Sequence, residues 1–250
     1  LISMTGGPDR APVKVPIAVS DVMAGLYAAI GILSALRQRD ATGIGQHIDL
    51  GLLDVQVGWL YNQGLNYLTG GGIPQRLGTA HPNTVPYQVF ETKDGWAIVA
   101  ANNDGQFKRL CDAARRPELS SDARFATNSD RVRNRDKLVE LVTEFLRTNT
   151  TAYWMEVLER ANVPCSPVNN VAEVFADPQV LARGMKISMP HGLSGSGTVD
   201  LIGCPLKMSE TPVEYRRAPP TLGEHTEDVL REVLELPNSK IEALRASGII

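Results

Sequence analysis

The most uneven stretch of the chain is "VPIAVSDVMAGLYAAIGILSAL", residues 15–36, where Asp21 is the lone charge and Val22–Leu36 carries none. The pair Ser20–Asp21 is a helix start signal, because a short acceptor side chain satisfies free N–H groups of a first turn. The predicted helix runs to about Arg39 and is apolar nearly all round. Gly25, Ala28, Ala29, Gly31 and Ala35 permit close approach, so it belongs in a core or a tight subunit interface. Residues 46–53 ("QHIDLGLL") alternate and predict a strand, followed by a helix from about 54 to 68. Residues 69–86 are rich in glycine and proline and predict a linker or functional loop. Residues 87–101 read as two strands joined at Lys93-Asp94-Gly95. Helical spacing follows at 104–114, 134–147 and 151–161, then a turn-rich joint ("NVPCSPVNN") and two short helices up to Gly184. Strand patterns return in "MKISMPH" and "GTVDLIGCPLKMS", and residues 210–222 form an extended proline-rich connector. Thr226 is placed to cap a helix to about Leu234, and a last helix spans about 239–247. Helix–strand–helix alternation at this spacing predicts an α/β fold, with 87–185 as one α+β unit.

Composition narrows the classes. At 250 residues the chain suits one large domain or two ordinary ones, and 43% apolar with 21% charged residues is globular. The net charge of −3, with lysines and arginines scattered, gives no basic stripe for nucleic acid or an anionic membrane surface. Cys111, Cys165 and Cys204 are far apart and odd in number, which argues against a disulfide framework and for a reducing compartment. The 15-residue uncharged run falls short of the roughly 20 residues a membrane span needs. The opening "LISMTGGPDR" reads as the continuation of an apolar segment, so further structure is expected upstream.

Candidate chemistry is sparse. Gly70-Gly71-Gly72 lacks the Lys-Ser/Thr of a phosphate loop. His47, His81, His191 and His225 have no metal-ligand spacing, so no metal site is expected. No G-x-S-x-G elbow is present, and Cys165, between Pro164 and Ser166, reads as a small buried residue. His81 in "GTAHPN" lies in a glycine- and proline-framed loop, where functional residues collect, though an ordinary loop histidine is the commoner case. Asp21 has two readings: an N-cap, or an ionised carboxylate at the positive end of a helix dipole, as nucleophilic acyl transfer requires.

The segment "SDVMAGLYAAIGILSALRQRDATGIGQHIDLGLLD" resembles the part of family III CoA-transferases (CaiB/BaiF type) that carries the catalytic aspartate. "RLGTAHPNTVPYQVFETKDGWAIVAANNDGQF", "RFATNSDRVRNRDKL", "NVPCSPVNNVAEVFADPQVLARGM", "GCPLKMS" and "APPTLGEHTEDVL" are similar to its later landmarks, in order. The resemblance covers essentially the whole chain. It implies a Rossmann-like large domain, incomplete here, plus a small α+β domain, in a ring-like chain that forms an interlocked homodimer. Residues 1–58 and 205–250 would belong to the large domain, 59–86 and 186–204 to linkers, and 87–185 to the small domain. Asp21 would be the nucleophile, and Gly78, His81 and Asn83 would lie in the active-site loop, which here reads "GTAHPNT" rather than a run of glycines. The implied activity is CoA transfer from an acyl-CoA to a carboxylic acid, with small dicarboxylates such as succinate favoured by "HPNTVPYQVF". Coenzyme A thioester enters as substrate, no cofactor is held permanently, and the expected location is cytoplasmic, with no membrane or nucleic-acid partner. Most CoA-contacting residues and a further active-site carboxylate would precede Leu1, so residues 1–250 alone would be inactive. Two other readings stand beside transfer: an α-methylacyl-CoA racemase-type epimerase, and a non-enzymatic fragment that acts only as an interlocking partner.

Overall fold

The computed structural model describes residues 1–250, which divide into two compact units, Leu1–Val168 and Asn169–Ile250. The fold is mixed α/β, and its two small sheets are both antiparallel.

The first unit opens with a 3-10 turn at Ile2–Met4, then helix α1 (Val19–Thr42), α2 (Leu52–Gly58) and α3 (Tyr61–Gly70). Gly43 ends α1 with φ 76°, a left-handed C-cap that a side chain would strain. Residues 46–53, expected as a strand, join no sheet: 46–51 have no strand of this chain beside them to complete a ladder, and Leu52 and Leu53 open α2. The expected helix 54–68 is two helices, broken at Trp59–Leu60, with Tyr61 at φ 44°.

The next part holds the core. Strands β1 (Tyr87–Glu91) and β2 (Trp96–Ala100) form the expected hairpin, with Glu91 opposite Trp96. The Asp94 carboxylate in its turn accepts from the Thr151 amide at 2.7 Å, and that bond holds its pKa below the usual range. Helices α4 (Asp104–Ala113), α5 (Glu118–Ser121), α6 (Asn128–Arg133), α7 (Arg135–Leu146) and α8 (Thr151–Arg160) follow. Strand β3 (Cys165–Pro167), inside the segment read as a joint, pairs antiparallel with β2. The helical faces follow from spacing: Phe107, Leu110 and Cys111 on α4; Leu138, Val142, Phe145 and Leu146 on α7; Trp154 and Leu158 on α8, all buried together. Asn103, Thr127 and Thr150 cap α4, α6 and α8 through their side chains.

Arg131 is the one fully buried charge in this core. Its guanidinium donates to Val85 O (2.7 Å), Phe125 O (3.0 Å) and Asp104 Oδ1 (2.8 Å), and lies 4.6 Å over the Phe107 ring. Burial pushes the Cys111 thiol up to about 12. Almost no thiolate forms at neutral pH. Cys111 is therefore expected to resist alkylation by iodoacetamide in the native protein and to label on denaturation. Native labelling at the rate of free cysteine would contradict the packing.

The second unit contains α9 (Val171–Ala176), α10 (Pro178–Ala182), the hairpin β4 (Lys186–Pro190)–β5 (Thr198–Ile202), α11 (Thr226–Glu232) and α12 (Asn238–Ala246). Asn170 and Glu173 form a capping box, and Asp177 caps α10 with Pro178 at its first position. Thr226 is not a cap. It is the first helical residue of α11, after His225, because the turn at Gly223 (φ 77°) directs the chain into the helix there.

The main departure from expectation is α1. None of its residues is buried in this chain, and Leu26, Ile30 and Leu33 are 55%, 61% and 67% exposed. The apolar helix therefore lies outside the core of this chain. An exposed apolar face of this size marks an interaction surface. By length and composition alone α1 also suffices to cross a membrane.

Candidate functional site

Asp21 does not cap α1. The helix begins at Val19 after Ala18, which makes no side-chain cap bond, so Asp21 is the third helical residue. The chain turns early because the Val19 amide bonds back to Ile17 O at 3.0 Å, just after Pro16. Ser20 is engaged elsewhere. Its Oγ accepts from Gln56 Nε2, which ties α2 to the first turn of α1. Asp21 is left exposed in that first turn, where negative charge is favourable against the helix dipole.

Asp21 lines an open groove of about 770 Å³ together with Lys14, Ser20, Gln56, Trp59 and Thr5, among apolar neighbours such as Val15 and Ile17. This volume lies in the range of small-molecule sites, about 300–1,000 Å³. Lys14 is the one basic side chain of the lining, so the groove pairs a carboxylate with a cation and polar side chains capable of hydrogen bonding within mostly apolar walls. Such a set can orient an acyl group against a carboxylate while limiting water.

The other expected residues, Gly78, His81 and Asn83, share one loop that does not line the groove. It is fastened beside the groove wall: the Gly78 amide donates to Gly6 O (2.9 Å), next to groove residue Thr5. Gly78 has φ 63°, the backbone region where glycine avoids strain. Asn83 exchanges two side-chain hydrogen bonds with Asn66 of α3 (3.1 and 3.2 Å), and its carbonyl accepts from Asn128 Nδ2 at 2.8 Å. The His81 amide donates to Tyr87 O (2.8 Å), and its ring stacks on Tyr87 at 5.2 Å with planes 5° apart. Arg135 Nη2 donates to His81 O (2.9 Å) and Pro82 O (2.7 Å).

Burial, and next the charge of Arg135, lower the pKa of His81. A histidine with a depressed folded pKa favours folding above its unfolded value, about 6.5, and loses that contribution as pH falls through the folded value. In an NMR titration the His81 imidazole is expected to titrate below about pH 6.5, with the loop loosening as it protonates. A midpoint at or above that value would contradict the enclosed ring seen here.

Sequence reasoning singled out neither Lys14 nor Arg135. Lys14 had a signal: it is the only basic residue between Arg10 and Arg37 and stands seven positions before Asp21. Arg135 had none beyond its motif, since its role depends on a fold that brings α7 against residues 81 and 82.

Comparison with known proteins places this architecture. The family model described as CoA-transferase family III matches residues 1–226. Succinate–glutarate CoA-transferase of Agrobacterium fabrum is 43% identical over 234 residues, covering 93% of this chain and 58% of that protein. The human succinyl-CoA:glutarate CoA-transferase is 38% identical over 250 residues, all of this chain and 57% of its own. The crystal structure of a CaiB/BaiF family protein from Brucella suis matches with TM-score 0.74 at 43% identity, over 92% of this chain and 59% of that one. The chain thus spans a little under three fifths of the length of these relatives. A match of this extent, running from the groove through the core and into the second unit, shows that the chain belongs to CoA-transferase family III.

Proposed function

We propose that the full-length protein transfers CoA from an acyl-CoA to a small dicarboxylic acid, with Asp21 as the covalent carrier. The observation that carries this reading is Asp21 itself, exposed in the first turn of α1 in a groove with Lys14. It is supported by relatives that are named succinyl-CoA:glutarate and acetyl-CoA:oxalate CoA-transferases. An Asp21 oxygen attacks the thioester carbonyl, the C–S bond breaks, and CoA thiolate leaves with the electron pair. The thiolate then attacks the aspartyl carbonyl of the mixed anhydride, which releases the first acid and leaves an aspartyl-CoA thioester. The acceptor carboxylate attacks that thioester, forming a second anhydride and freeing the thiolate again. Attack of the thiolate on the acceptor acyl carbon gives the new acyl-CoA and restores Asp21. Each step needs a weak nucleophile held in line and shielded from water. No permanent cofactor is required.

On the same reading the groove is completed by chain outside residues 1–250, within a Rossmann-like large domain of an interlocked, ring-like homodimer in the cytoplasm. Residues 1–250 alone are then inactive. Incubating the full-length protein with succinyl-CoA, trapping with hydroxylamine and mapping by mass spectrometry tests the proposal. A hydroxamate on Asp21 supports it. Exchange of the α-proton of a 2-methylacyl-CoA with solvent, without any adduct, would replace it with epimerisation.

A further inference from the structure

We propose that Lys14 is the residue that selects dicarboxylic acids, pairing with the far carboxylate of an acid whose near end reacts at Asp21. This rests on the transfer reading above and adds the group that chooses the acid.

Lys14 and Asp21 line the same groove. Lys14 is exposed and joins none of the chain's ion pairs, so its ammonium is not spent on the Asp21 carboxylate or on any other. The backbone that carries it is held in place. Lys14 lies between Pro12 and Pro16, and the adjacent Val13 amide donates to the backbone O of Thr5, another groove residue, at 3.1 Å. As the one cation of the lining, Lys14 marks the place where a second anion is favoured beside Asp21.

The dimensions agree. A compact space of about 770 Å³ is about 11 Å across. Glutarate measures about 5 Å between its carboxyl carbons. With one end at Asp21, the other end therefore stays inside the groove, where the Lys14 stem stands on the wall. Val15 and Ile17, in the same lining, offer apolar surface to the methylenes between the two ends. Apolar walls also screen a charge pair less than open water does. A single cation serves both halves of the reaction, because the departing acid and the acceptor occupy this place in turn. Succinate and glutarate differ by one methylene, and a flexible four-carbon stem adjusts to that difference.

The test uses the full-length protein. It compares glutarate with butyrate as acceptors, and succinyl-CoA with butyryl-CoA as donors. Lys14→Met keeps the apolar stem and removes the charge. The kcat/KM values for glutarate and succinyl-CoA are expected to fall about ten- to a hundredfold, the range for one hydrogen bond to a charged group. Those for butyrate and butyryl-CoA stay unchanged. Lys14→Arg, which keeps the charge, should restore most of the loss. A fall for all four alike would make Lys14 a ligand of CoA or of the reacting carbonyl, and that result, or no fall at all, overturns the inference. A second measurement needs neither variant nor turnover. Glutarate, and not butyrate, should protect Lys14 from acetylation by acetic anhydride, as mapped by mass spectrometry. Protection in a protein that forms no hydroxamate on Asp21 retains this site and refutes the transferase reading. Equal labelling with and without glutarate refutes the site whether or not transfer occurs.

Discussion

Asp21→Ala is expected to lower CoA transfer by roughly a thousandfold or more and to leave the fold intact. The side chain is exposed and lies outside the core, so its loss removes no packing. It is also not the cap of α1, so its removal costs no cap bond. A structural role would show as a lower melting temperature, and a chemical one as lost turnover at unchanged melting temperature. Asp21→Asn sharpens the comparison, because it keeps the shape and removes the nucleophile. Turnover within tenfold of the parent in either variant would end the role assigned to Asp21.

Arg131→Met is expected to have the largest effect on stability, about 3–5 kcal/mol, read as a lower urea midpoint. Methionine fills much of the stem volume but offers no donor. Val85 O and Phe125 O then lose their hydrogen bonds inside the core, at about 1–3 kcal/mol each, and the contact over Phe107 is lost. The ion pair itself contributes less, because the Asp104 side chain is 58% exposed. Arg131→Lys should rescue little, since one ammonium cannot reproduce the planar fork that reaches three acceptors. Destabilisation below about 1 kcal/mol would mean that water replaces the guanidinium freely.

The helices of the core were legible because their apolar residues recur at three and four positions, as at Leu138, Val142, Phe145 and Leu146. The β1–β2 hairpin was legible because a Lys-Asp-Gly turn separates two β-rich runs. Residues 46–53 misled because alternation reports one wetted and one dry face, not the neighbour that makes a strand. The start of α1 was misplaced by two to three residues because Ser20 has a better use than capping, and its partner Gln56 is 36 positions away. Asp21 could be singled out from local contrast alone. The fastening of the loop could not, because Asn66, Asn128 and Arg135 reach it from three separate helices, and single-sequence patterns carry no such distances.

The confinement of the first unit's core to residues 85–163 has a consequence for inherited or engineered variation. Changes at Leu110, Leu138 or Leu158 remove packed volume, and they should act through the amount of folded protein that survives cellular quality control. Changes at the exposed positions of α1, such as Leu26, Ile30 and Leu33, remove little that this chain packs against, so their effects should track activity or assembly at normal abundance. Measuring abundance and activity side by side across a variant library would sort the substitutions into these two groups by position, without any structure of each variant.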